Sequence, residues 1–269
     1  MKTALLELLR CPTTGQLLTL EVGGNNSLLI NEGWLVSEDG QHRYPIRNGI
    51  PRFVPQSNYA DNFGMQWNYF RQTQLDSHSG MPISSARFWL ATNWAPADLK
   101  GRWVLDVGCG AGRFAEVALK AGAKVVALDY SSAVDACYSN LKHHPNLHVV
   151  QGDIYALPFA LGAFQYVYSL GVLQHTPDVA KAFAALPPMV RGGGSCAWII
   201  TKNHGNPSFT PNTGCGRYPN AWLKPRFFRC CKRRYRFCCR SAVFWAVCHL
   251  WGVYSSAWCR LLIIMARCS

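Results

Sequence analysis

The chain has 269 residues, 49% hydrophobic and only 15% charged, which suffices for a sizeable core in one large or two smaller domains and excludes a disordered polypeptide. A formal net charge of +13 points to nucleic acid or an anionic membrane, but the charge is unevenly placed. Residues 195–269 hold 12 of the 27 Lys and Arg, none of the 14 acids and nine of the 12 Cys, so a nearly neutral region precedes something chemically different.

No secretory pattern opens the chain: Met1 to Arg10 is apolar only briefly, contains Glu7 and has no small-residue cleavage site. Leu5, Leu8 and Leu9 fall at helical spacing instead. A cytoplasmic setting with reduced thiols is expected. Short β segments should follow, separated by turns at Gly23-Gly-Asn-Asn26 and Glu38-Asp-Gly40. The Cys11-Pro12 start and the Tyr44-Pro-Ile-Arg-Asn-Gly-Ile-Pro51 ending make residues 1–55 resemble a small zinc-ribbon domain found beside methyltransferases. That family holds zinc with two Cys pairs. Here Cys11 stands alone until Cys109, and one thiol cannot make a tetrahedral site, so a degenerate, metal-free domain is expected.

Residues 56–100 read as a bridge with helices over Asp61–Arg71 and Ser84–Asn93. The string Phe63-Gly-Met-Gln-Trp-Asn68 resembles a segment that folds over the cofactor in some small-molecule methyltransferases. The alternative is an aromatic helix packed on a sheet face. Acceptor identity should reside in loops and in residues 56–95.

From residue 101 strands and helices alternate, as in a parallel sheet with covering helices. Strands are expected near 103–107, 124–129, 146–150, 164–169 and 195–201, with helices over about 112–121, 132–142 and 178–190 and a turn at Arg191-Gly-Gly-Gly194. The first strand runs into Asp106-Val-Gly108-Cys109-Gly110-Ala-Gly112, and Asp129 ends the second strand. Glycines let the backbone turn tightly and approach a ligand, and a carboxylate about twenty residues on accepts ribose hydroxyls. This alone fits a dinucleotide or an adenosine-type cofactor. The spacing is not G-x-G-x-x-G, and Asp106 inside the turn would repel a pyrophosphate while suiting ammonium and sulfonium charges.

In these residues the chain resembles the class I S-adenosylmethionine-dependent methyltransferases, whose first motif reads D/E-x-G-x-G-x-G. The resemblance covers about residues 60–200 and implies S-adenosylmethionine as cofactor. It implies a cofactor pocket from Asp106, Gly108, Cys109, Gly110, Gly112, Asp129 and Tyr130. Asp153 would meet the adenine amino group, the Ile154 backbone the ring, and Leu170 would line the pocket near Gly171. The alternative for Asp153 is a solvent-facing loop residue, since Gly-Asp is also common turn chemistry. His175 is the titratable group nearest neutrality beyond the fourth strand, so it is either a general base or a loop and helix-start hydrogen-bonder. The branch resembled methylates quinone-type or related lipid precursors, so a small-molecule acceptor is expected. No feature fixes an oligomeric state.

The expected fold is a Rossmann-like α/β sheet, mostly parallel with helices on both faces, without the closing C-terminal strands, plus a small N-terminal α+β domain. The division is 1–55, 56–100, 101–201 and 202–269. The last segment has no alternation and pairs cysteines at Cys230-Cys231 and Cys238-Cys239, as translation in a shifted reading frame would give. Competing readings are nucleic acid or anionic membrane binding through the basic, aromatic stretch 224–240, a peripheral membrane anchor over Ser241–Cys259, and a zinc site.

Overall fold

In the computed structural model, which describes residues 1–22, 29–55 and 58–201 and the backbone of 261–267, the N-terminal segment is an antiparallel meander. Its strands are β1 (Leu18–Glu21), β2 (Gly33–Ser37), β3 (Arg43–Arg47) and β4 (Ile50–Pro51), in that spatial order, after a single 3-10 turn at Thr3–Leu5. Arg47 pairs with Ile50, leaving Asn48 and Gly49 as a two-residue turn with φ of 52° and 76°. Two left-handed residues match the twist of the flanking strands, which is why Asn-Gly occupies this position.

A helical bridge follows: α1 (Asp61–Tyr69), α2 (Asp76–Ser79), α3 (Ile83–Thr92) and α4 (Pro96–Leu99). The Asp76 carboxylate holds the start of α3 by accepting from the Ser84 amide at 2.7 Å and the Ser85 amide at 2.8 Å. Then come β5 (Trp103–Val107), α5 (Arg113–Lys120), β6 (Lys124–Asp129), α6 (Ala133–Leu141), β7 (Leu147–Gln151), β8 (Phe164–Leu170), α7 (Val179–Ala185), β9 (Val190–Thr201) and β10 (Leu261–Arg267). The sheet order is β10-β9-β8-β5-β6-β7, with β5 parallel to both β6 and β8, β6 to β7, and β8 to β9. The order reverses between β5 and β8, which opens a crevice at the C-terminal ends of those strands.

Alternation along the strands sorts side chains into two cores. Val125 and Ala127 of β6 face α3, α5 and α6, packing with Phe88, Ala118 and Cys137. Val126 and Leu128 face the other way, where α7 and the N-terminal meander cover the sheet with Leu5, Leu9, Leu35, Ile46 and Ala182. Residues 1–200 therefore share one compact unit. Backbone bonds reinforce it: Arg10 N donates to Pro158 O at 2.9 Å, Ala160 N to Leu8 O at 2.9 Å, and Phe53 N to Gln151 O at 2.8 Å. Arg52 lies parallel to Gln151 on the free edge of β7 and reaches the Asp135 carboxylate on α6 at 2.7 Å.

Three expectations change. The fifth strand is not the edge of the sheet, because β10 lies beside it, so a closing strand is present. The expected turn at 191–194 lies inside β9: register jumps from Phe164–Val190 to Tyr166–Ser195, so the glycines form a bulge. The helix expected over 178–190 stops at Ala185, since Pro187 and Pro188 cannot continue it and form a 3-10 turn with Met189. The stretches 224–240 and 241–259, with their nucleic-acid, membrane and zinc readings, lie outside the described residues. Among the described residues no helix is long and apolar enough to cross a membrane, and no three potential metal-ligating side chains cluster.

Candidate active site

The crevice is built from the loop after β5. Gly108, Gly110 and Gly112 all have positive φ, of 84°, 52° and 92°. A Cβ on Gly108 would lie 2.4 Å from Val172, so both conformation and space demand glycine there. The Gly108 and Cys109 amides donate to Leu128 O at 2.7 and 3.0 Å, pinning the loop to the end of β6. Cys109 is buried against Cys137, and that thiol contact, with burial, raises its pKa.

Asp129 completes the anchorage. One carboxylate oxygen accepts from the Gly110 amide at 2.9 Å, the other from the Ser131 amide at 2.9 Å and the Ser131 hydroxyl at 2.8 Å. Three of about four acceptor positions on a carboxylate are thus used by the protein itself. Burial raises its pKa against these bonds. Asp106 differs: it is 2% exposed and its Oδ2 has no hydrogen-bond partner among the described residues. Burial pushes its carboxyl up to about 8, while the Tyr168 phenol, beside it in the register of β8, pulls the other way.

The remaining expected residues ring the same crevice. Tyr130 stacks on Tyr59, with ring centroids 4.9 Å apart and planes 26° apart. Its carbonyl accepts from the side chains of Asn58 at 3.2 Å and Gln151 at 3.1 Å. Gly152 N donates to Asp129 O at 3.0 Å, which brings Asp153 next to that carboxylate's strand end. The Asp153 carboxylate accepts from Tyr155 N at 2.8 Å, as in an Asx turn. Ile154 and Leu170 are buried, and Leu170 ends β8. His175 is exposed at the end of a 3-10 turn, its ring 5.6 Å from Phe63 and its Nε2 3.3 Å from the Gln174 amide nitrogen. It sits with the α1 aromatics rather than with the carboxylates.

Helix α1 lies over this loop. Gly64 is so close to α6 that a Cβ there would fall 2.2 Å from the Ser132 hydroxyl, and the Trp67 indole lies 3.4 Å from the Cβ position of Gly110. Asn68 donates to Ser132 O at 2.9 Å, and Asn140 ties Arg71 O to Ala111 O at 2.8 and 2.9 Å. Two arginines escaped the sequence reading. Arg113, the residue directly after the glycines, donates to Ser84 at 2.9 Å and Gln74 at 3.1 Å, and Arg87 comes within 4.0 Å of the Cβ position of Gly171. The position of Arg113 after the last glycine was the available signal; Arg87 gave none.

The crevice therefore offers backbone cradled by glycines and three carboxylates, one of them buried with an orphaned oxygen. No ion pair among the described residues involves Asp106, Asp129 or Asp153. Such a site fits a nucleoside carrying positive charge, as S-adenosylmethionine does, and not a polyphosphate.

Comparison with known proteins agrees. Residues 105–198 match the family described as methyltransferase domain, and residues 2–49 match the Trm112p-like protein family. The tRNA U34 carboxymethyltransferase of Pseudoalteromonas translucida is 32% identical over 133 residues, 47% of this chain and 41% of that protein. The enzyme of the same name from Shewanella baltica is 34% identical over 135 residues, 47% of this chain and 40% of that protein. The chain thus spans about two fifths of the length of these curated relatives. Among solved structures, a putative S-adenosyl-L-methionine-dependent methyltransferase of Methanococcus maripaludis shares 19% identity with a TM-score of 0.44, covering 54% of this chain and 65% of that one. A complex of the Haloferax volcanii Trm112 methyltransferase activator with a putative methyltransferase gives 18% and 0.45, covering 53% and 62%. These curated relatives are named for tRNA, so the quinone-type, small-molecule branch expected from the sequence is not the branch they represent. The chain carries a methyltransferase domain of the S-adenosylmethionine-dependent kind, preceded by a Trm112p-like domain.

Proposed function

We propose that the chain transfers a one-carbon or carboxymethyl group from an S-adenosylmethionine-type donor to a nucleoside of tRNA. The observation that carries this is the glycine loop locked by Asp129 beside the orphaned, buried Asp106 carboxyl, within a domain whose relatives are tRNA-modifying enzymes. The bound donor supplies an electrophilic carbon on a positively charged sulfur, which is already a good leaving group. The protein's part is alignment and exclusion of water rather than covalent chemistry.

In this reading the Asp106 carboxylate receives the donor's ammonium group, and the amides of Gly108 to Gly112 shape the cradle. The remaining acceptor position of Asp129 takes a ribose hydroxyl. Tyr130, Asp153 and Ile154 enclose the base, and Leu170 lines the transfer position. Trp67 and the rest of α1 shut out water from above. His175, exposed beside Phe63, stands where an acceptor would enter and takes its proton at a ring nitrogen. The proposed division gives residues 56–100 the lid, 101–201 the transfer site and 1–55 a structural cover. Residues 202–269 take no part in this scheme.

The test is incubation of the full chain with bulk tRNA and labelled donor, followed by nucleoside mass spectrometry. A modified uridine that disappears in Asp129→Ala is expected, and its added mass separates methyl from carboxymethyl. Donor binding with label appearing only in a small-molecule pool would overturn the RNA acceptor.

A further inference from the structure

We infer that the end of the sheet opposite the cofactor crevice is a docking surface for the phosphodiester backbone of RNA. This rests on the RNA reading of the acceptor and places a second contact far from the transfer site. The loops entering β5, β6 and β7 adjoin there: Gly101 N donates to Gly122 O at 2.8 Å, Lys124 N to Arg102 O at 2.8 Å, and Val125 N to Asn146 O at 2.9 Å. They bring Lys100, Arg102, Lys124, Lys142 and His143 to one exposed end. The segments 1–4, 99–104, 119–124 and 141–148 that form it contain no Asp or Glu. Among the described residues none of Lys100, Arg102, Lys124 and Lys142 has a carboxylate partner, whereas neighbouring Lys120 is held by Glu116 at 2.9 Å.

Within this surface lies a cleft of about 380 Å³ lined by Lys2, Leu29, Trp103, Lys124, Asn146 and His148 among others. Lys124 Nζ stands 5.5 Å from the Trp103 ring centre, and the His148 ring centre lies 5.1 Å from it. His148 is only 7% exposed, yet its Nδ1 has no hydrogen-bond partner among the described residues. Burial first, and then the charges of Lys2 and Lys124, lower its pKa to about 4, so His148 enters the cleft wall as a neutral ring and the positive charge there comes from the lysines.

The charges lie in a row across three strands, about 10 Å from first to last strand, rather than in one point cluster. A row of cations without acids matches a repeating phosphate chain better than a single small anion. A membrane surface would need large exposed apolar side chains beside the cations. Of the twelve large apolar side chains exposed among the described residues, five, including Phe63, Met65, Tyr69 and Phe70, lie on or beside α1, and only Leu29 lines this cleft.

The experiment compares full-length wild type with Arg102→Glu/Lys124→Glu, both positions being exposed and outside the cofactor site. Binding of bulk tRNA is titrated against salt, with lysine-acetylation footprinting on the wild type. The variant is expected to bind tRNA at least tenfold more weakly, with a log–log salt slope shallower by about 2, and to bind S-adenosylmethionine unchanged. Lys100, Lys124 and Lys142 should be protected by tRNA. Segment 202–269 is present in both proteins, so the difference isolates this surface. If tRNA is retained with unchanged slope and no protection, the docking surface is overturned while the RNA acceptor stands. If the wild type retains no tRNA, both fall. Protection by anionic vesicles and not by tRNA would also overturn it.

Discussion

Asp106 and Asp129 sit about one strand apart yet have opposite circumstances. Asp129 is bonded three times over, while Asp106 keeps an oxygen with nothing to hold. With its carboxyl pushed to about 8, Asp106 is mostly protonated at neutral pH until a cation arrives. An ammonium group would draw that proton off, so donor affinity should rise several-fold between pH 6.5 and 8.5, and calorimetry in buffers of different ionisation heat should show proton release. Asp106→Asn should flatten that profile; an equally steep one in the variant would remove Asp106 from the binding event. Stability of the empty protein runs the other way. The folded pKa lies above the ordinary value of 3.8, so the favourable contribution is complete below about pH 4 and is lost as pH rises through 8. Gly108→Ala places a methyl 2.4 Å from Val172 at a φ of 84°, and should cost about 2 kcal/mol or more in chemical denaturation. That residue, the motif around it and the Asp129 strand end were legible in the sequence because backbone geometry imposes their chemistry. The three self-bonds of Asp129 were not, since Ser131 looks like any helix-start serine until the fold sets its hydroxyl on the carboxylate.

At the scale of elements, α1 is the part whose role depends on seating. It is anchored through Gly64 on Ser132, Asn68 on the Ser132 carbonyl and Trp67 over Gly110. Gly64→Ala cannot fit without moving the helix, because 2.2 Å to an oxygen is far inside contact distance. Donor binding should weaken by about tenfold while the melting temperature moves by only a few degrees, since α1 buries little beyond Gly64. A collapse in melting temperature with unchanged affinity would show the helix to be packing alone. The sequence identified this helix from its aromatic string and located the five strands to within a residue or two, apart from the start of β9. Its failures were local. The Pro187-Pro188 pair ended α7 early, three glycines were absorbed into β9 as a bulge, and β10 was hidden because residues 261–267 carry no alternation to mark a half-buried strand.

For the molecule as a whole, the cover on one sheet face comes from the N-terminal domain. Leu5 and Leu9 are buried in the same cluster as Leu105, Val126 and Phe164. Leu9→Ala should therefore cost about 2–5 kcal/mol, and unfolding of residues 1–200 should follow one calorimetric transition. Two separated transitions, with the mutation affecting only the first, would show the domains to be independent. The turn pattern and the resemblance to a small ribbon domain set residues 1–55 apart in the sequence. Neither revealed that their apolar side chains complete the neighbouring core, because a contact between residues 9 and 159 leaves no trace in local pattern.

The strip from Arg52 to Phe53 along β7 has a consequence in solution. Because the covering domain is joined through residues 56–100 to the sheet it covers, its local concentration is set by the chain and not by how much protein is in the tube. A cover supplied by a separate polypeptide would come away on dilution, and its activity per molecule would fall. Here specific activity should stay constant from micromolar to nanomolar protein, and the bridge from Arg52 to Gln151 occupies the C-terminal end of the β7 edge.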